Sequence, residues 1–409
     1  MNGEQKERPL RVLHSFPHRL GMSRICTTAW QEIDSAAQAG AEMLVMAGDS
    51  VRPFTRPVRV ETTLSRGRFR IPNRLLGTFR TCILHDWLVA RRLPSLAGRI
   101  DIIHAWPLGA LRTIRAAKKL GIPVVLERCN AHTRFAYEVV QRECERIGVP
   151  LPPGHEHAYN KKGLEHEERE YAEADALLCP SDFVVKTFVD QGCSLERLVR
   201  FIYGVDEKKF YASDRKPGSQ EGLKMIFVGV CAVRKGLHLV LEAWLESPAS
   251  KTGRFLIAGD FIPAYREKLS GMLSHPSIEV LGHRQDVPEL MRECDLFALP
   301  SIEEGFGLVC TEAMASGCVP LVSDACTELC RHNENALVHR VGDVKELASH
   351  ITRLHENRSL LAQLRGAGLS NLNRITWKAA GVSLLHAYQQ VLNRRHNRLT
   401  GKALQACAV

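Results

Sequence analysis

Short apolar runs separated by helix-length amphipathic stretches recur along almost the whole chain, and few folds accept that rhythm. Residues 10–15, 42–47, 101–105, 122–126 and 175–179 read as strands, with helices predicted over 23–39 and 108–120, closed by Gly40 and Gly121. Strands separated by helices pair in parallel, because the crossing helix returns the chain to the same end of the sheet. A second series begins at 224–229 and continues through 254–259, 277–282 and 295–299. The expectation is an α/β chain with two doubly wound, Rossmann-like halves facing across a cleft, over residues 1–203 and 204–375, followed by a terminal segment 376–409. Tyr203-Gly204-Val205-Asp206 is the hinge candidate, with loop chemistry at 215–220. An amphipathic helix is expected over 377–393, where Trp377, Leu384, Leu385, Tyr388 and Leu392 are available to pack.

A chain of 409 residues with 45% hydrophobic content supports two cores. No apolar run reaches the roughly 18 residues that cross a bilayer, and the first eight residues are charged rather than leader-like, so the expected location is cytoplasmic. The 13 cysteines are scattered, mostly in apolar runs, with no Cys-x-x-Cys pair. That pattern predicts reduced core thiols and no zinc; Cys326 and Cys330, four apart, lack neighbouring ligands in sequence.

Lys and Arg outnumber acids 55 to 45, a formal charge of +10. The excess is concentrated in residues 52–80, where Arg52, Arg56, Arg59, Arg66, Arg68, Arg70, Arg74 and Arg80 face only Glu61 and alternate with Phe54, Phe69, Ile71, Leu75, Leu76 and Phe79. Basic and apolar residues so interleaved fit either a peripheral contact with an anionic membrane or a solvated basic face. Nothing resembling an RNA-binding signature or zinc finger accompanies the charge, so no specific nucleic-acid partner is expected.

The densest chemistry lies between Asp295 and Pro320. The run 295–299 is a strand, Ser301–Gly307 a loop, and from Leu308 the pattern turns helical until Gly317 and Pro320 stop it. A helix amino end behind a glycine loop offers free amides and a positive dipole to an anion, and Gly305 and Gly307 permit close backbone approach. Glu304 and Glu312, with seven residues between them, would flank such an anion and accept hydrogen bonds from sugar or ribose hydroxyls.

This stretch, Glu304-Gly305-Phe306-Gly307-Leu308 followed by Glu312-Ala313-Met314-Ala315-Ser316-Gly317, resembles the signature of family four of the GT-B glycosyltransferases. The resemblance spans nearly the whole chain and is sharpest from 224 to 323. It implies a GT-B architecture, with the terminal helix crossing back onto the first half. It also implies a nucleoside-diphosphate-sugar co-substrate, with Glu304 on the donor sugar, Glu312 on the ribose, and Gly305, Phe306, Gly307 and Leu308 between them.

Other candidates sit just after strands, where open α/β sheets bind their ligands. Gly21, in the loop Pro17–Arg24, resembles the family glycine near the donor phosphates, without the usual Gly-Gly pair. Gly229, Arg234 and Lys235 follow the strand at 224 and open a helix, where two cations could neutralise a diphosphate; the family's Arg position is Val230 here, so Arg234 substitutes. Gly282 resembles the strand end whose backbone holds the nucleobase. After the strand ending at 126, His132 is the choice for the family histidine near the reacting sugar, with Arg128 and Asn130 as alternatives; His104 reads as packing.

The resemblance further implies transfer with retention of anomeric configuration, the leaving diphosphate serving as base. Arg234, Lys235, Glu304 and His132 would be the catalytic set and a glycan or lipid-linked sugar the acceptor, in polysaccharide, glycolipid or other glycoconjugate synthesis. No Asp-x-Asp appears in a suitable place, so neither metal nor resident cofactor is expected. An epimerase of the same architecture and an inactive sugar-nucleotide-binding module are the alternative readings.

Overall fold

The computed structural model describes residues 8–67, 69–71, 77–214 and 222–406. In chain order the first half supplies β1 (Arg11–Leu20), β2 (Glu42–Ser50), β3 (Arg59–Thr62), the short hairpin β4 (Ser65–Arg66) and β5 (Phe69–Arg70), then β6 (Ile102–Ala105), β7 (Val124–Glu127), β8 (Ala176–Cys179) and β9 (Leu198–Arg200). The second half supplies β10 (Lys224–Val228), β11 (Arg254–Ala258), β12 (Ile278–Gly282), β13 (Leu296–Leu299), β14 (Val319–Ser323) and β15 (Leu337–His339). Among the described residues the large sheets run β3-β2-β1-β6-β7-β8-β9 and β12-β11-β10-β13-β14-β15, with every recorded pairing in them parallel. Each reverses direction beside its first strand, which gives a switch point between β1 and β6 and another between β10 and β13. The chain is therefore an α/β protein with two Rossmann-like halves.

The central strands are apolar throughout, as burial on both faces requires: β6, β7, β8, β13 and β14 are buried along their whole length. β1 runs five residues beyond its predicted end. Pro17, placed by the sequence at the start of a loop, lies where the β1–β2 register shifts between Phe16 and Arg19. Gly48 accommodates that bulge, since a Cβ there would lie 2.6 Å from the Pro17 carbonyl oxygen. Two helices begin later than predicted. Arg24 has φ 51° and Leu108 φ 64°, so helix starts at Ile25 and Leu111.

The terminal helix spans Trp377–Ala406, longer than the predicted 377–393, because the polar run after Asn393 carries no apolar stripe yet has good helix formers. It crosses back to the first half: Leu384, Ala387, Tyr388 and Val391 join the core beneath β1 and the helix Ile25–Gln38. Gly381 permits this approach, as a Cβ there would lie 2.3 Å from the Ser35 carbonyl oxygen. At the crossing, Val205 pairs with Thr376, and Gly204 meets the Trp377 amide where a Cβ would lie 2.3 Å away. The halves also touch through the helix Thr133–Ile147, whose Val140 and Cys144 enter the second core and whose Glu143 meets His238 Nε2 at 2.7 Å.

The loop predicted at 215–220 lies outside the described residues, as do Arg68, Arg74, Leu75 and Leu76 of the basic stretch. Nine of the twelve described cysteines are buried. No helix among the described residues is long and apolar enough to cross a membrane.

Candidate active site

The loops leaving the carboxyl ends of β10 and β13 open onto a cavity of about 490 Å³ between the two sheets. Gly229, Lys235, Glu304, Phe306, Gly307, Leu308 and Glu312 line it from the second half. Arg24 and Ile25 after β1, and Asn130 after β7, line it from the first, and Tyr203, Asp206 and Trp377 close it at the crossing.

Local structure explains these positions. Gly229 has φ 148° and Gly307 φ 76°, backbone conformations that favour glycine. Gly307 caps the helix Leu308–Ala315, whose amino end points into the loop and whose first turn carries no acid. Gly236, at φ 67°, starts the helix Leu237–Glu246 directly after Arg234 and Lys235; a Cβ on it would lie 1.9 Å from the Pro300 carbonyl oxygen. The β10 loop is thereby locked against the β13 loop. Ile302 N–H donates to the Arg234 carbonyl at 2.7 Å.

This lock sets two cations against two carboxylates. Lys235 Nζ donates to Glu304 Oε2, and Arg234 Nη1 lies 3.6 Å from Glu304 Oε1. Arg234 Nη1 also donates to the carbonyl and the Oε2 of Glu303, at 3.0 and 3.2 Å. Burial alone would raise both carboxyls. Lys235 and Arg234 more than offset it at Glu304, which stays below the usual carboxylate range, and Arg234 does so at Glu303, which drops to about 2. Both therefore stay ionised at neutral pH. Glu312 behaves oppositely: burial, aided by Asp206 and opposed by Lys209, pushes its carboxyl up to about 7.

The structure does not bring every predicted residue to this cavity. Arg234 lies one layer behind Lys235, its guanidinium spent on Glu303. Gly305 faces the first half rather than the cavity, packed on the Cys129 carbonyl. Gly21 bends away, since a Cβ on it would meet the Arg52 Cβ at 2.6 Å, and Arg24 takes the cleft position instead. Gly282 ends β12 and accepts from the Gly259 amide at 2.8 Å, outside the cavity lining.

His132 does not line this cavity. It caps the helix Thr133–Ile147 by accepting from the Arg134 amide at 3.3 Å, and its own amide donates to Thr187 Oγ1 at 3.0 Å. Its ring packs edge-on against Tyr171 and Phe188. Burial, then Arg128 and Arg134, depress it to about 3, so it stays neutral in the core. Of the alternatives, Asn130 lines the cavity. Arg128 is tied to Glu167 at 3.0 Å and stacked on Tyr171.

Two residues escaped the sequence reading. Glu303 is fully buried and binds Arg234, the Ala131 amide at 3.2 Å and His157 at 3.5 Å. His157 arrives from a loop that carries no motif. The adjacent acids Glu303 and Glu304, opposite the adjacent cations Arg234 and Lys235, were the available signal for the first.

Residues 27–209 match the family described as Glycosyltransferase Family 4, and residues 222–357 match Glycosyl transferases group 1. A D-inositol 3-phosphate glycosyltransferase of Stackebrandtia nassauensis is 32% identical over 340 residues, 77% of this chain and 73% of that protein. A 94-residue segment is 35% identical to the Campylobacter jejuni N,N'-diacetylbacillosaminyl-diphospho-undecaprenol alpha-1,3-N-acetylgalactosaminyltransferase, covering 22% of this chain and only 25% of that protein. Among solved structures, sucrose-phosphate synthase of Thermosynechococcus elongatus superposes with a TM-score of 0.68 at 17% identity, over 95% of this chain and 100% of that one. Anabaena HepE in complex with UDP gives 0.65 at 17%, over 92% and 98%. With the two matched halves and the GT-B arrangement of its sheets, this chain belongs to the family 4, group 1 glycosyltransferases.

Proposed function

We propose that this glycosyltransferase takes a sugar from a nucleoside-diphosphate donor held in the 490 Å³ cavity and transfers it, with retention, to an acceptor hydroxyl. The observation that carries the reading is the placement of Lys235, Glu304 and Glu312 on one cavity beside two helix amino ends. Lys235 and the amides of the first turn after Gly307 would hold the diphosphate. Glu304, ionised and fixed by Lys235 and Ser301, would accept from sugar hydroxyls, and Glu312 from the ribose. Asn130, not His132, would face the reacting sugar from the first half.

In the transfer step the bond from the anomeric carbon to the diphosphate oxygen breaks while the bond to the acceptor oxygen forms on the same face. The acceptor proton passes to the departing diphosphate. The protein's share is electrostatic and positional, with cations fixed before charge develops. Solved structures of HepE with UDP-glucose support a uridine nucleotide as first probe, and the lipid-linked sugar in the C. jejuni relative's name supports a glycoconjugate acceptor. The exposed Phe69 and Ile71 beside Arg56, Arg59 and Arg66 favour a resting place on anionic lipid.

A thermal-shift screen with UDP, GDP and ADP sugars tests the donor site, because a ligand of the folded state raises stability by mass action. One nucleotide series should raise the transition; no shift with any of them removes the reading. The anomeric configuration of the product then decides between retention and inversion.

A further inference from the structure

A second cavity, of about 970 Å³, opens at the switch point of the first sheet and joins the donor-side cavity at Ile25, Cys129 and Asn130. We infer that the acceptor carries a phosphate group, and that this phosphate seats in the larger cavity against the amino end of the helix Lys161–Glu173. The inference rests on the reading that the smaller cavity takes the donor, which leaves this one to the acceptor.

Its lining includes three cations, Arg128, Lys161 and Lys162, with the imidazoles of His155 and His157 between them. The helix Lys161–Glu173 has no acid in its first turn, and its capping residue Asn160 accepts from the Gly163 amide at 3.1 Å. The amides of Lys161 and Lys162 come earlier in that turn, where no helical carbonyl reaches back to them. Two further nitrogens of the lining residues, Arg128 Nε and His157 Nδ1, are buried without a hydrogen-bond partner. Arg128 is 2% exposed and His157 7%.

The acids nearby are engaged or turned outward: exposed Glu165 lies 3.9 Å from Lys161 Nζ, and Glu303 3.5 Å from His157 Nε2 while bound to Arg234. Glu167 is engaged by Arg128 and by Thr133 Oγ1, at 3.0 and 2.8 Å, and Glu156 is largely exposed, its Oε1 3.6 Å from His157 Nδ1. A neutral sugar would leave this donor set in excess. A phosphate, with three acceptor oxygens and up to two charges, would use it.

The phosphate could belong to a soluble ester or to a lipid headgroup. Beside this cavity lies a mostly apolar one of about 450 Å³, lined by Val149, Leu151 and Cys144, which shares His157, Ala158 and Tyr159 with it. An alkyl chain attached to the phosphate would fit there.

The test is calorimetric titration of the full chain saturated with UDP, using inorganic phosphate as probe, so that the donor-side anion site is already filled. Wild type and the Lys235→Ala variant should bind phosphate alike, and Lys161→Ala/Lys162→Ala should bind it about tenfold more weakly with an unchanged melting temperature, both lysines being exposed. Absence of phosphate binding in the wild type, or equal binding by the double variant, overturns the inference. If UDP itself does not bind, the donor reading fails separately, and the titration is run on Lys235→Ala without UDP. Methyl phosphate and dodecyl phosphate then separate the sources: tighter dodecyl binding assigns a lipid-borne phosphate, and equal binding a soluble one.

Discussion

A Cβ on Gly305 would lie 1.7 Å from the carbonyl oxygen of Cys129, so the loop that carries the two glutamates is pressed onto the carboxyl end of β7 in the other half. The same seam contains the bond from the Ala131 amide to Glu303. The two cavities, which share Cys129 and Asn130, therefore meet at one backbone contact. Gly305→Ala forces that contact apart. It should cost about 1–3 kcal/mol of stability or more, and should weaken UDP binding in the same step. A variant with wild-type denaturation and wild-type UDP affinity would show that the two halves do not meet this closely in solution.

Glu304→Gln tests the ion pair at the donor site with little change of shape. The amide cannot hold Lys235 and Arg234 as a carboxylate does, so a preorganised electrostatic group is lost. Losses from removing one such group run to about a hundredfold to a thousandfold in kcat. The variant should fold, because Arg234 keeps Glu303. Glu304→Ala is less clean, since Glu304 is only 6% exposed and its removal leaves Lys235 without its carboxylate partner. Unchanged turnover in Glu304→Gln would remove Glu304 from the site.

Alternation of apolar runs and helical segments was enough to place both sheets, because a strand buried on both faces has an unmistakable composition. Chemistry close in sequence was legible too: Glu304, Gly307 and Glu312 are read from one strand, one loop and one helix. What stayed open was the choice among residues within a loop. His132 and Asn130 are two positions apart, and which of them faces the cleft depends on where the helix Thr133–Ile147 begins and takes its cap. Gly21 and Arg24 differ for the same kind of reason, since the strained φ of Arg24 turns the chain after Gly21 has bent it away. Glu303 was marked only by its place beside Glu304, and His157 by nothing local, because their partners lie 69 and 146 residues distant.

The carboxyl of Glu312, pushed up to about 7, gives donor binding a pH dependence. A ribose hydroxyl donates to the ionised form, so UDP affinity should rise as pH passes from 6 to 8, with proton release on binding. The stability sign is opposite. Below the unfolded-state pKa of about 4.3 both states hold the proton; between there and 7 only the native state does, so stability falls as pH rises through that window. Glu312→Gln should flatten both curves. Parallel curves for variant and wild type would assign the titration elsewhere.

The basic stretch is tested on vesicles. Phe69 is 85% exposed on the β4–β5 hairpin, and Ile71 and Val60 are also exposed. Phe69→Ser with Arg56→Glu and Arg66→Glu should reduce sedimentation with phosphatidylglycerol vesicles several-fold, and raising the salt should weaken the wild type likewise. Turnover on a soluble acceptor should be unaffected, because none of the three residues lines the donor-side or acceptor-side cavity. Equal sedimentation of variant and wild type would leave a solvated face.

The crossing helix is held by more than apolar packing. Tyr388 is fully buried, and its hydroxyl meets His104 Nδ1 at 2.8 Å, while His104 Nε2 meets Glu127 at 3.1 Å and Glu127 in turn accepts from Tyr203 at the hinge. A polar chain therefore joins the terminal helix, the first core and the crossing point. Phe at position 388 keeps the ring and strands the His104 nitrogen in a dry environment. Leaving one buried partner unsatisfied costs about 1–3 kcal/mol, far more than the loss of one oxygen atom from a solvated surface. Tyr388→Phe should therefore lower the urea midpoint without altering the slope, and UDP affinity should drop only if the chain also sets the position of Tyr203, whose ring packs edge-on against Phe306. An unchanged midpoint would mean that the hydroxyl contributes nothing to anchoring the crossing helix.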